Sequence, residues 1–368
     1  MASVSTIVLY LTAIVFFFGQ LLRLNFLNIS FPLLDIFIIA LAAINLIFHL
    51  KTKTIQIKNR GFLYFLIFTW ITFFINYFLY HNPIITPLFY LIRLTCLLSL
   101  IIVPLSSQIF KEKFKRFFLI CLFSDIIFGF IQYLFWPNFI YFNALNWDPH
   151  TFRLVGTFFD PTFTGLIFLL FLLIIFFNKN INFRIPILII SYLAIALTYS
   201  RTSYLVFIIA FAFISMRLKQ PKILITSILI IILTVLILPR LPGESTKLER
   251  TSSIFAKIEN YKEGISVFSQ SPLIGHGYNN LVYIRHINIP NSHSNSGFDS
   301  SLLTILATTG LIGGLLFLTG IKDLFFHSDL LLQTLLLTVF IHSFFSNSLL
   351  YPWVLLILCL TPSFRYRT

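Results

Sequence analysis

The sequence predicts an all-α, polytopic transmembrane helix bundle of about twelve spans with one large polar loop. Three observations carry this expectation. The 368 residues are 58% hydrophobic and 10% charged, with a mean hydropathy of +0.93, whereas soluble domains carry about 25% charged residues. The apolar runs reach roughly 20 residues, enough to cross about 30 Å of hydrocarbon as helices. They are continuous, and do not alternate in polarity as the strands of a membrane barrel do. Residues 240–300 are the one long polar stretch between such runs.

In chain order the predicted spans are 6–22, 31–50, 61–80, 86–105, 117–135, 162–177, 186–199, 203–216, 223–239, 301–320, 330–348 and 351–362. The first run lacks a charged leader and a small-residue cleavage site, so it reads as a retained helix and not a signal peptide. Arg93 is the one basic residue deep within a span, where it needs an acidic partner; Asp35 and Asp125 both qualify. Cys96, Cys121 and Cys359 all fall in apolar runs and suggest neither a disulfide framework nor a metal site. There is no repeat and no soluble domain boundary. Residues 1–368 read as a single membrane domain, with the 240–300 loop elaborated within it.

The net charge of +14 sits mainly in short loops, which argues against a nucleic-acid surface. Alternate short loops and the C-terminal tail hold sixteen basic residues, from Lys51 and Lys53 to Arg365 and Arg367; the loops opposite hold only Arg23, Arg153 and Arg201. The positive-inside rule then places both termini in the cytoplasm and the 240–300 loop outside; long loops translocate largely regardless of their charge.

Within that loop, Ile254, Ile258, Tyr261, Ile265 and Phe268 recur at helical spacing and predict an amphipathic helix, on the membrane surface or over the bundle. Thr251, Ser252 and Ser253 are its N-cap candidates, and Pro272 with Gly275 ends it. Arg250 stands just before this helix and Arg201 just before the eighth span. Arg153 precedes Asp160-Pro161, which reads as an N-cap followed by proline at the first helical position. Arginines beside free N–H groups at helix starts suit an anion, phosphate above all. Plainer roles fit as well: Arg201 can snorkel at a span end, and Arg153 and Arg250 can be solvated loop cations.

Downstream, His293 and Asp299 are candidate bases, the histidine by its intrinsic titration range; Asp299 with Ser300 also suits a helix cap. His276 and His286 are weaker candidates. Gly310, Gly313 and Gly314 suggest close helix packing. No GxxxxGK, HExxH or CxxC pattern occurs, so ATP hydrolysis and zinc chemistry have no support from motifs.

Four segments in this order form a pattern: RLVGTFFDPTFTG (153–165), LTYSRTSYL (197–205), ERTSSIFAKIENYKEGISVFSQSPLIGHGYNN (249–280) and DSSLLTILATTGLIGG (299–314). The pattern resembles the bacterial O-antigen ligase and O-antigen polymerase family over roughly residues 140–320. The resemblance implies a GT-C-like bundle in the bacterial cytoplasmic membrane, serving cell-envelope polysaccharide or lipopolysaccharide synthesis. It implies a glycosyltransferase that moves a glycan from a polyprenyl-diphosphate carrier to an acceptor sugar hydroxyl at the extracytoplasmic face. Arg201 and Arg250 would hold the diphosphate, Arg153 would be a further cation, and no metal or other cofactor would be needed. Its partners would be the carrier-linked donor, a glycan or lipid-linked sugar acceptor and the bilayer, without nucleic acid. Where the ligases typically have His-Asn, this chain has Asp299-Ser300, so the resemblance leaves the acceptor base as Asp299 or His293, and a polymerase, or another glycan transferase of the same build, fits a non-His residue there better than a ligase.

A transporter or lipid flippase would share the span count and the external arginines. It would place more polar residues at mid-membrane or show paired broken repeats.

Overall fold

A computed structural model describes residues 2–26, 29–105, 112–139, 147–239, 241, 245–285 and 296–361. Among these residues the chain is almost wholly α-helical. The first five helices are α1 (Ala2–Phe18), α2 (Leu34–Thr52), α3 (Arg60–Tyr80), α4 (Ile85–Ile102) and α5 (Glu112–Phe135). Next come α6 (Pro161–Phe177), α7 (Arg184–Leu197), α8 (Arg201–Leu218) and α9 (Pro221–Ile237). The loop helix is α10 (Ser252–Gln270), followed by α11 (Ser301–Phe326), α12 (Leu330–His342) and α13 (Pro352–Leu360). Between α1 and α2 the strands β1 (Arg23–Phe26) and β2 (Ile29–Pro32) pair antiparallel, with Arg23 opposite Pro32 and Phe26 opposite Ile29. The sequence reading had no strand there. Arg23 holds the pair, donating from Nε to Ser30 Oγ at 2.9 Å and from Nη2 to Ser30 O at 2.7 Å.

Each of the twelve predicted runs coincides with a helix. Six helices, α2, α3, α4, α5, α8 and α11, are long and apolar enough to cross a membrane; α1, α6, α7, α9 and α12 are apolar but shorter. The run predicted over 330–348 breaks early. α12 stops at His342, and Ser343, Ser346, Asn347 and Ser348 make a turn in place of two more helical turns; such side chains compete with the helix for backbone partners. α13 has nine residues, about 14 Å of helix at 1.5 Å per residue.

The helix starts are set by short polar side chains. Asn59, Asp160, Ser200, Ser300 and Asp329 each accept a backbone N–H from the first turn of α3, α6, α8, α11 and α12. Helix α6 is buried on every face from Thr164 to Ile175 and forms the middle of the bundle, as expected of a helix that is apolar all round.

Loops from alternate connections gather at one end. There Tyr199 donates to Pro239 O at 2.7 Å, Asn76 to Gly275 O at 3.4 Å, and Ser301 N to Ser343 O at 2.9 Å. At the other end Lys58 N reaches Ile102 O at 2.9 Å and Asn59 reaches Gly320 O at 2.8 Å.

The segment after α10 locks into α11. Gly310 has φ +67° and ψ −171°, which breaks the helix in its third turn. The carbonyls of Ala307 and Thr308, freed from the ladder, accept His276 N at 3.0 Å and Gly277 N at 2.8 Å. Leu311 N turns to Pro272 O at 2.8 Å. Irregular backbone inside a membrane domain persists where other protein groups satisfy it. Gly310 was expected to serve close packing; its role is this break, since a Cβ there would lie 2.2 Å from Leu273 O. Close packing falls to Gly61 and Gly320, where a Cβ on Gly61 would lie 2.4 Å from Gly320 N and α3 meets α11.

Candidate functional site

The three outward arginines predicted from the sequence come together at the loop-rich end. Arg201 is the first residue of α8, just past its Ser200 cap. Its Nη1 donates to Arg250 O at 2.9 Å and to Leu248 O at 3.2 Å, and its Nη2 donates to Ser253 Oγ at 2.7 Å. It therefore ties the start of α8 to the start of α10, and its Nε has no partner among the described residues. Arg250 donates to Ser245 O and Lys247 O, both at 2.9 Å, which curls the chain ahead of α10. Ser253, read as a possible cap for α10, serves Arg201 instead; α10 starts at Thr251 without a side-chain cap.

Arg153 lies deeper, 6% exposed. Nε donates to Thr198 O at 2.8 Å and Nη2 to Tyr199 O at 3.4 Å, so it hangs on the turn that leads into α8. Its own turn is fixed from below. Gln132 Oε1 accepts Val155 N at 2.9 Å, and Asp125 accepts the Thr157 hydroxyl at 2.9 Å. Asp125 is thus spent on this turn, and the partner of Arg93 is Asp35, at 3.2 Å. Burial pushes the Arg153 guanidinium down to about 9; the positive charge of Arg250 adds to this, Asp160 opposes it, and Arg201 adds a smaller push. Three cations thus sense one another with Asp160 as the acidic counterweight.

Asp299 stands at the same end, on the loop entering α11. Its carboxylate is 3.4 Å from Lys257 Nζ and 43% exposed, and its N–H donates to Asn260 Oδ1 at 2.8 Å. Lys257 also donates to Phe345 O. The cap of α11 is Ser300, which accepts Leu303 N at 3.3 Å; Asp299, expected to share that task, does not. The carboxylate is also exposed to solvent. His286 and His293 lie outside the described residues. His276 is buried, with Nε2 3.0 Å from Val267 O, and belongs to the packing of α10.

Residues 186–318 match the family model described as O-antigen ligase. Over that stretch the chain is similar to the O-antigen ligase family. No curated protein matches the chain. The O-antigen ligase match takes in Arg201, Arg250, α10 and Asp299, and ends before Arg153 on its N-terminal side. Members of the family are membrane glycosyltransferases, and the apolar helices fit that setting.

The candidate site holds residues the sequence reading missed. Asp148 and His150, in the short WDPH run before Arg153, sit among the same charges. Burial raises the Asp148 pKa, and Asp160 and Asp299 raise it further. Burial pushes His150 down to about 4; Arg153 and Arg250 push the same way and Asp160 opposes them. With 12 acidic residues in the whole chain, an acid and a histidine two residues apart in a loop were a usable signal. Lys257 was overlooked because it lies within a helix that reads as amphipathic.

Of the two settings expected for α10, the exposed isoleucines of its apolar stripe fit the membrane surface. Gly264 and Val267 face the bundle, and Gly264 leaves room for Leu303, which would lie 2.3 Å from a Cβ there. Ile254, Ile258 and Ile265 of the predicted apolar stripe are exposed, while Tyr261 donates to Phe344 O.

Proposed function

We propose that the chain transfers a glycan from a polyprenyl-diphosphate carrier to an acceptor sugar hydroxyl at the extracytoplasmic face. One observation carries the reading: Arg153, Arg201 and Arg250 crowd together with a surplus of positive charge that a diphosphate would neutralise. The backbone carbonyls that hold all three fix their geometry before substrate arrives.

In the proposed step the acceptor oxygen attacks the anomeric carbon, the bond from that carbon to the diphosphate oxygen breaks, and polyprenyl diphosphate leaves with the electron pair. Negative charge grows on the diphosphate as the bond opens. Preorganised arginines stabilise that charge more in the transition state than in the ground state, and this difference is what accelerates the reaction. The acceptor proton passes to a base, Asp299 or His293. Lys257, 3.4 Å away, orients the Asp299 carboxylate for a proton from the acceptor.

The short loops that gather around the arginines are the ones with few basic residues, which supports an external site and cytoplasmic termini. Cysteines at Ser245 and Thr52, probed with an impermeant thiol reagent in intact cells, test this. Labelling at 52 and none at 245 would refute the orientation. The intermediate that accumulates in a deletion strain tests the transfer itself: carrier-linked single units mark a polymerase and carrier-linked long chains a ligase. A strain that accumulates neither contradicts the proposal.

A further inference from the structure

A second polar feature lies toward the loop-rich end and does not include the clustered arginines. A cavity of about 50 Å³ opens between α4, the segment after α10, the start of α11 and the turn between α12 and α13. Tyr90, Arg93, Tyr278, Asn279, Thr304 and Asn347 line it. Ser296 also lines it, and the lining Thr304 accepts Phe298 N through Oγ1 at 2.8 Å, so the cavity lies against the stretch of chain next to Asp299.

Its lining is rich in uncommitted hydrogen-bonding groups. Arg93 makes one hydrogen bond, from Nη1 to Asp35 Oδ2 at 3.2 Å, and its guanidinium lies 4.4 Å from the centre of the Tyr90 ring. Its other N–H groups have no acceptor among the described residues. Asn347 Oδ1 is buried without a donor. Asn279, 8% exposed, adds a side-chain amide to the lining. Buried polar groups are nearly always satisfied by protein or by a bound molecule, so this set is arranged for a ligand that is polar.

The charge and size narrow the ligand. Asp35 offsets the charge of Arg93, so the cavity presents donors and acceptors without a net charge, which suits a neutral group better than an anion. A volume of about 50 Å³ compares with roughly 10–15 Å³ for one enclosed water on the same measure. That is room for a substituent of a few heavy atoms and not for a sugar ring. The tyrosines supply flat walls for its carbon atoms.

We propose that this cavity reads one neutral substituent, a hydroxymethyl or acetamido group, on a sugar ring bound beside Asp299. The inference rests on the glycan-transfer reading for the presence of a sugar and adds to it the residues that choose which sugar. A pocket built to hydrogen-bond a substituent rejects an analogue lacking it, because its own polar groups are then left unpaired.

The test uses the full chain in lipid nanodiscs and ligand-observed NMR with three probes: methyl glucoside, methyl N-acetylglucosaminide and methyl xyloside, which lacks both substituents. One of the first two should bind at least about tenfold tighter than the xyloside, the effect of losing roughly one hydrogen bond. Asn347→Leu, close in shape, should erase that preference. Tyr90→Phe, which removes only a hydroxyl, covers the case in which the leucine variant fails to fold, and should reduce the preference. Farnesyl diphosphate binding, measured in parallel, should be unchanged in both variants. Equal binding of all three sugars to the unaltered protein overturns the inference, as does a preference that survives in the folded variants. Loss of farnesyl diphosphate binding in the unaltered protein would instead overturn the diphosphate reading, and leaves the sugar preference standing or falling on its own.

Discussion

The guanidinium of Arg201 donates from Nη1 to the main-chain carbonyl of Arg250 at 2.9 Å. One arginine of the pair thereby sets the backbone from which the other projects. Coupling of this kind depends on the planar fork, since the same group also holds Leu248 O and Ser253 Oγ. Lysine at 201 keeps the charge and loses the fork. Arg201→Lys is therefore expected to lose nearly as much turnover as Arg201→Ala, on the order of 10²–10³-fold. Rates at matched protein levels check this. Full activity in the lysine variant would reduce Arg201 to a generic positive charge.

His150 gives the fold a pH dependence. Its pKa falls from 6.5 in the unfolded chain to about 4 in the folded one. Between those values the unfolded chain binds the proton and the folded chain does not, so stability declines as pH drops from 6.5 toward 4 and levels off below. Melting temperatures in detergent should show this slope, and His150→Gln should flatten it over that window. An unchanged slope in the variant would place the titration elsewhere.

Gly310→Ala should destabilise the chain. Its φ of +67° disfavours any side chain, and the new Cβ would meet the Leu273 carbonyl at 2.2 Å. The strain alone costs about 1–3 kcal/mol. The collision also pushes away the segment that carries His276 and Gly277. A lowered melting temperature is the expected result, and a variant as stable as the parent would contradict the interlock.

The two candidate bases differ in kind. If Asp299 takes the acceptor proton, Asp299→Asn abolishes turnover with the α11 cap intact, because Ser300 makes that cap. If His293 takes it, His293→Ala removes an acidic limb near pH 6–7 from the rate profile, following the imidazole reference value of about 6.5. Wild-type rates in both, with donor and acceptor saturating, would leave catalysis to the arginines and positioning.

The sequence made the helices legible because their apolar runs are long, and made Arg153, Arg201 and Arg250 legible because each stands at or near a helix start. The bundle-facing side of α10 was not legible. Its isoleucines mark the most hydrophobic stripe, but Gly264 makes the closest fit to α11, and Ser253 and Lys257 make polar contacts; hydropathy scores none of these. The break at Gly310 was hidden for a similar reason. A glycine in an apolar run reads as a packing residue unless the partner of the freed carbonyls is known, and His276 and Gly277 lie far away in sequence. Asp148 and His150 were missed because the short irregular run they stand in, next to the isolated bridge between Asn138 and Thr151, has no period to detect.

The central claim is that the clustered arginines grip a departing diphosphate. The most direct measurement supplies the purified chain in proteoliposomes with a polyprenyl-diphosphate oligosaccharide donor and a glycan acceptor, and follows released polyprenyl diphosphate. The account predicts release with the parent chain, and a loss on the order of 10²–10³-fold with Arg250→Ala or Arg153→Ala. Parent-like release from the two alanine variants, with both folded, would contradict it.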